Sequence, residues 1–233
     1  MKFVLFPANE RGYADYGWLK TYYTFSFANW YNPKKIHFGT LRVLNDDSIA
    51  PHSGFDLHPH QDMEIITILL SGELTHQDSM GNKGIIKENE VQVMSAGTGI
   101  LHSEKNESNE WTKLFQIWIF PDKKSHTPRY DQKKFIFEKN QLQLMVSPDG
   151  QKNSLWIHQN AFIYRGKFDN QMKINYELQN PKNGVFIMII DGSAEIYNNN
   201  LNTRDAIGIY DIKDVEIEFK TPGDILIIEL PMN

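Results

Sequence analysis

The chain has 233 residues, 40% apolar and 23% charged, with a net charge of −5 and no cysteine. That balance excludes a disordered chain, and the missing cysteine excludes disulfides and thiolate metal ligands. The acidic charge, with Lys-Lys pairs scattered at Lys34, Lys123 and Lys133, excludes the basic stripe of a general nucleic-acid binder.

The length suits one large β domain or two of about 100 residues each. At the N-terminus, Phe3-Val4-Leu5-Phe6 stops at Pro7, too short for the apolar core of a secretory signal. No run of about 18 apolar residues follows, so a soluble cytoplasmic protein is expected, with no membrane partner. The aromatic stretch Trp18 to Phe27 is expected in the core and between domains, with stacking on a flat substrate as the alternative. Short apolar runs then alternate with turn residues. Ile65 to Leu70 ends at Ser71-Gly72, Val91 to Met94 at Ser95-Ala96-Gly97, and Leu114 to Phe120 at Pro121. The polar stretch Asp122 to Asn140 reads as a linker with one short helix. Val185 to Ile190 then ends at Asp191-Gly192, and Ile225 to Leu230 at Pro231. β-Branched and aromatic runs of this length predict strands. Many strands without intervening helices predict a sandwich or barrel. The run from Ile65 through Gly72-Glu73-Leu74 loosely resembles the run from Val185 through Gly192-Ser193-Ala194, which points either to two related β domains or to two unrelated hairpins.

Eight histidines are present, and two form His58-Pro59-His60. In an extended strand, residues i and i+2 share a face about 6.6 Å apart, so two imidazoles at that spacing can converge on one ion. Pro59 cannot donate to a β-ladder, which predicts an edge, a strand start or a bulge. About 40 residues later, His102-Ser103-Glu104 is a second i, i+2 pair, after the turn-like Gly97-Thr98-Gly99. Four nitrogen and oxygen ligands from two strand pairs suit a first-row divalent ion. The remaining histidines carry no such pattern. His52 and His126 lie in Pro-flanked loops and are expected exposed, and His76 and His158 are expected to be structural.

The segments Gly54-Phe55-Asp56-Leu57-His58-Pro59-His60, Gly72 through Asn82 and Gln92 through Glu104 together resemble the pirin family, a bicupin group of the cupin superfamily. The strong matches run from about residue 11 to about residue 135, and the second half is similar to quercetinase-like members. The resemblance implies an all-β fold of two cupin (jelly-roll) β-barrel domains. Residues 1–130 would hold the metal, and residues 131–233, including a short linker, would be a metal-free cupin domain. It assigns His58, His60, His102 and Glu104 as metal ligands. General cupins place a carboxylate at the Glu64 position, so Glu64 competes with Glu104 or stands behind a ligand imidazole. Glu104 is favoured, because it shares a face with His102.

The resemblance further implies a metal-dependent dioxygenase of the quercetin 2,3-dioxygenase type, acting on flavonols or other enols and phenols, with Glu104 as catalytic base. The expected cofactor is one divalent transition metal, Fe(II) first, with Ni, Mn, Cu, Co or Zn as alternatives. The expected partners are a small aromatic or enol substrate and O2. A monomer is expected, since no apolar heptad argues for assembly. The competing reading is a non-enzymatic metal-binding regulator acting through protein partners. A third is an isomerase or hydrolase on the same barrel, because fold does not fix function.

Overall fold

The computed structural model describes residues 1–232. In chain order the strands are β1 (Lys2–Phe6), β2 (Gly12–Asp15), β3 (Leu19–Tyr23), β4 (Leu41–Ile49), β5 (Ser53–His60), β6 (Glu64–Ser71), β7 (Glu73–Asp78), β8 (Lys83–Lys87), β9 (Glu90–Ser95), β10 (Ile100–Asn106), β11 (Thr112–Ile119) and β12 (Arg129–Lys134). They continue as β13 (Gln141–Ser147), β14 (Leu155–Trp156), β15 (Phe162–Phe168), β16 (Lys173–Glu177), β17 (Asn183–Asp191), β18 (Ser193–Ile196), β19 (Asn199–Asn202), β20 (Ala206–Tyr210), β21 (Asp214–Phe219) and β22 (Gly223–Pro231). Among the described residues the only helices are single 3-10 turns at Ala8–Glu10 and Gln151–Asn153. No described helix is long and apolar enough to cross a membrane.

Four sheets build two cupin barrels. In the first, the seven-stranded sheet β12-β9-β6-β11-β4-β3-β2 faces the four-stranded sheet β5-β10-β7-β8. In the second, β1-β20-β17-β22-β15-β13-β14 faces β16-β21-β18-β19. The resemblance between the halves is structural. β6 passes into β7 through Gly72 (φ 81°), and β17 into β18 through Gly192 (φ 83°), each time crossing from a long sheet to a short one. A positive φ at such a corner favours glycine.

The period of two along each strand assigns the faces. On β4, β6 and β11 one set of side chains, including Leu44, Ile66, Ile68, Phe115 and Ile117, leaves the first barrel and meets Met145, Phe186, Met188, Leu226 and Ile228 of the second. Phe186 sits at the centre, with ring centroids 5.2 Å from Phe6 and 5.9 Å from both Phe25 and Phe38. Truncating a core ring of this kind to alanine costs about 3–5 kcal/mol. This shared core explains why both long sheets read as near-continuous apolar runs.

The two interiors differ. The second barrel is filled by Val185, Ile187, Ile189, Ile207, Ile209, Ile225 and Ile227 against Val215, Ile217 and Phe219. The first has an apolar cap at each end, one around Leu69, Leu74 and Leu114 and the other around Ile65, Met94 and Ile100. Between the caps lie the buried polar residues Asn45, Asp47, Thr67, His76, Gln92, His102, Glu104 and Gln116.

One element departs from the sequence reading. The stretch Asp122 to Asn140 contains no helix. Arg129–Lys134 instead forms β12, antiparallel to β9, with Arg129 opposite Ser95 and Lys134 opposite Glu90. The outer edge of β9 offers unpaired backbone groups, and pairing satisfies them better than a solvated helical turn would.

Candidate metal centre

β5 is an edge strand, as Pro59 requires, and it runs antiparallel to β10 with His58 opposite His102 and His60 opposite Ile100. Between the pairs His58–His102 and Phe55–Glu104, β5 spends three steps and β10 two, a bulge that re-aims the chain before His58. His58 Nδ1 lies 2.6 Å from the Asp56 carbonyl oxygen. A carbonyl only accepts, so Nδ1 carries the proton and the Nε2 lone pair is free. On β10 burial alternates, with His102 and Glu104 inside.

The three imidazoles close into a triangle. Ring centroids are 4.4 Å apart for His58–His102 and 4.8 Å for both His58–His60 and His60–His102. One ligand atom from each ring lies within 4.8 Å of the others. Ligands about 2.1 Å from a common ion stand about 3.0–3.5 Å apart, so small side-chain rotations complete the site. Burial and the neighbouring imidazoles push His60 and His102 down to a pKa of about 3, which keeps both neutral and their lone pairs available. Neither nitrogen of His102, only 1% exposed, has a hydrogen-bond partner among the described residues. A buried imidazole without partners costs about 1–3 kcal/mol per unmet group. An ion on one nitrogen removes part of that cost, so these donors fit a first-row divalent metal.

Glu104 is held differently. Its Oε1 accepts from Thr67 Oγ1 at 3.1 Å and Gln92 Nε2 at 2.8 Å, and its Oε2 from Gln116 Nε2 at 2.8 Å. It shares the cavity with the three imidazoles. Its ligand atom groups within 4.8 Å with those of His102 and His76. His76, expected to be structural, is a hydrogen-bonding strand residue that also borders the site. Its Nε2 lies 3.1 Å from Asp78 Oδ2, its ring stacks on Tyr130 at 4.3 Å, and its Nδ1 is bare and buried beside the His102 ring, 5.3 Å away. The signal was present: His76-x-Asp78 is a third polar i, i+2 pair.

Glu64 lies elsewhere. On β6, Ile65 lines the cavity, and the period of two turns Glu64 to the opposite face with Ile66 and Ile68. There its Oε2 accepts from Ser95 Oγ at 2.7 Å, and the His158 backbone also donates to it. Burial lifts its carboxyl to a pKa of about 7, against about 4.3 in an unfolded chain. Between those values the unfolded state ionises while the folded state stays protonated. The stability contribution is therefore full at low pH and falls as pH rises through that window. Glu64→Gln removes this titration, so the variant's melting temperature relative to wild type is expected to rise from about pH 5 to about pH 8. A gap that narrows over that range would refute the assignment.

His126 is not exposed as its loop position predicts. Its ring stacks on His158 at 3.6 Å and 8°, its Nε2 reaches Asp122 Oδ1 at 2.6 Å, and its side chain is 11% exposed. The loop is pinned by Gly97 (φ 47°), where an added Cβ would lie 2.0 Å from the His126 carbonyl oxygen. That oxygen accepts from Thr98 N at 2.9 Å. Gly97→Ala is expected to lose backbone strain of about 1–3 kcal/mol and a further amount for the clash. At Gly99 (φ 136°) alanine meets backbone strain too, but nothing lies within 4 Å of the added carbon, so the clash is what sets Gly97 apart. Denaturant melts should show Gly97→Ala well below Gly99→Ala; equal losses would contradict this account of the turn.

The cavity encloses about 170 Å³. Besides the histidines and Glu104 it is lined by Phe27, Phe55, Ile65 and Trp118, and by Asn45, Asp47 and Gln116. Sequence reasoning missed Asn45, Asp47 and Gln116. Each is a polar residue at an inward position of an otherwise apolar strand, which is the pattern that marks them. Burial raises the Asp47 carboxyl to a pKa of about 7.

Two β-barrels of this kind in one chain, with three converging imidazoles in the first, define a bicupin. Residues 7–119 match the pirin family, and residues 144–230 match the domain described as quercetinase C-terminal cupin domain. A protein of Escherichia coli K12 named quercetin 2,3-dioxygenase is 42% identical over 225 residues, 96% of each chain. The crystal structure of YhhW from Escherichia coli superimposes with a TM-score of 0.95 at 41% identity, covering 100% of this chain and 99% of that one. The bacterial pirin YhhW in complex with nickel(II) gives a TM-score of 0.94 at 41% identity, with 100% of both chains covered. The chain belongs to the pirin family.

Proposed function

We propose that this protein is a metal-dependent dioxygenase of the quercetin 2,3-dioxygenase type, opening the central ring of a flavonol or a related enol or phenol with O2. Carbon monoxide leaves from the flavonol ring. The observation that carries the reading is the convergence of His58, His60 and His102 in a small, largely apolar cavity that also holds Glu104. The name of the E. coli relative supports it. In this reading the three imidazoles and Glu104 hold one divalent ion in the first barrel alone, since no group of candidate ligands gathers in the second among the described residues. Fe(II) is the ion proposed first, and Ni(II), which the E. coli structure contains, suits the same donors. The ion supplies Lewis acidity that lowers the pKa of a substrate hydroxyl.

The protein's own groups do the rest. Glu104 takes the hydroxyl proton as general base. Its Oε2 has one donor against two on Oε1, so Oε2 holds the freer lone pair. Thr67, Gln92 and Gln116 fix the carboxylate plane, so little reorganisation is needed when the proton moves. Phe27, Phe55, Ile65 and Trp118 exclude water and present flat apolar walls to an aromatic ring.

The test is oxygen uptake with quercetin, on protein whose metal content has been measured. Consumption of O2 in step with quercetin, scaling with metal occupancy, is the expected result. No uptake by fully loaded protein would reject the enzyme in favour of a metal-binding regulator.

A further inference from the structure

The metal cavity contains polar groups that the proposed reaction does not use. Asn45 and Asp47 lie two apart on β4 and both line the cavity, yet they are 4% and 3% exposed. Asn45 Oδ1 has no hydrogen-bond donor among the described residues and Trp118 Nε1 has no acceptor. Asp47 Oδ1 has none in bonding geometry, its one neighbouring candidate being the Thr21 hydroxyl opposite it in the β3–β4 ladder. Buried polar atoms are normally satisfied, and each exception costs about 1–3 kcal/mol. Neighbours on the same wall show that the fold can satisfy such groups. Gln116, opposite Asn45 in the β4–β11 ladder, donates its amide to Glu104 Oε2 at 2.8 Å. Two unmet oxygens two residues apart on one strand therefore lie just behind the cavity surface, where a side-chain turn would offer them to donors from outside the protein.

We propose that Asn45 and Asp47 form a hydroxyl-recognising subsite in the wall of the metal cavity, and that the substrate is a phenol or enol with at least one further hydroxyl beyond those facing the histidines. The inference rests on the proposed function and narrows its substrate class. One of the two oxygens accepts from the extra hydroxyl, the other is free for a neighbouring hydroxyl where the substrate has one, and the Trp118 N–H donates to a hydroxyl or carbonyl oxygen of the same molecule. The enclosed volume of about 170 Å³ falls below the about 300–1,000 Å³ typical of sites that engulf a drug-sized ligand. The group beside Asn45 and Asp47 is thus a single ring with its substituents. A site built to hydrogen-bond a substrate hydroxyl discriminates strongly against the analogue that lacks it, because its buried groups then stay unpaired.

The experiment measures equilibrium binding to metal-loaded protein under anaerobic conditions, by calorimetry, so that turnover plays no part. Quercetin is compared with 3-hydroxyflavone, which keeps the metal-facing oxygens and lacks the other hydroxyls. Wild type is expected to prefer quercetin by at least about 10-fold, the equivalent of about 1.4 kcal/mol. Asn45→Leu and Asp47→Leu are expected to collapse that preference while metal content stays at the wild-type level. Asp47→Asn, which keeps an acceptor oxygen in nearly the same shape, is expected to retain it and guards against misreading a folding defect in the leucine variants. Equal binding of both compounds by wild type, or an unchanged preference in folded leucine variants, overturns the subsite and leaves the dioxygenase reading intact. Failure of both compounds to bind loaded wild-type protein overturns both.

Discussion

Replacing His58 and His102 together by alanine is expected to reduce bound metal from about one ion per chain to a trace. The two rings face each other at 4.4 Å across the β5–β10 ladder, so the double change empties one side of the triangle and leaves His60 with Glu104. Loss of a partner that merely orients a ligand weakens metal binding by about 10–100-fold. Removing two ligand atoms outright should exceed the square of that. The readout is metal per chain by elemental analysis after growth with added iron or nickel. His102 is 1% exposed, so its truncation also leaves a void. Circular dichroism and a thermal melt establish that the variant is folded before its metal is counted. A folded double variant with full metal content would place the ion elsewhere.

Glu104→Gln is expected to separate holding the metal from using it. The three imidazoles remain, so affinity should fall only moderately. The base is lost, so turnover of quercetin should fall by about 10²–10⁴-fold, mostly in kcat, because the proton moves in the transition state. The hydrogen bonds sharpen this expectation. Both Glu104 oxygens receive donors, from Thr67 and Gln92 on one side and Gln116 on the other. The new amide nitrogen must face one of those donors. Turning Gln116 over to offer its oxygen would disturb its contact with Thr67 at 3.4 Å. Some loss of thermal stability should accompany the loss of rate. Glu64→Gln changes a carboxyl on the far face of β6 and should leave the rate nearly unchanged. If instead Glu64→Gln abolished turnover and Glu104→Gln did not, the carboxylate role would belong to Glu64.

Much of the metal centre was legible because a strand's period is short and rigid. Two residues two apart in an extended segment must share a face, and that rule alone brings His58 to His60 and His102 to Glu104. The same rule, applied to the apolar neighbours of Glu64, turns that residue away from the cavity; its position in the motif had suggested otherwise. What spacing could not give is how separate strands meet. The stacking of His126 on His158, and the gathering of Asn45, Asp47 and Gln116 round one cavity, depend on ladders between segments far apart in sequence. β12 hid for another reason. Its residues are polar and half-exposed, and the β9 edge they complete is visible only once the sheet exists.

β1 belongs by sequence to the half that carries the histidines, yet it pairs along its whole length with β20, from Lys2 opposite Tyr210 to Phe6 opposite Ala206. The stitch continues past the strand, where Ala8 N donates to Asp205 Oδ1 at 2.7 Å, and Arg11 and Arg204 grip the same Asp46 carboxylate. On the ribosome, this strand therefore emerges about 200 residues before its partner. At about 5–20 residues per second it must wait some 10 seconds or more for that partner to appear. During that interval the leading strand and the outward apolar face of the first barrel are still bare. Maturation of this protein thus has a vulnerable stage set by translation speed. Chaperone demand and sensitivity to premature truncation should concentrate in the last stretch of synthesis.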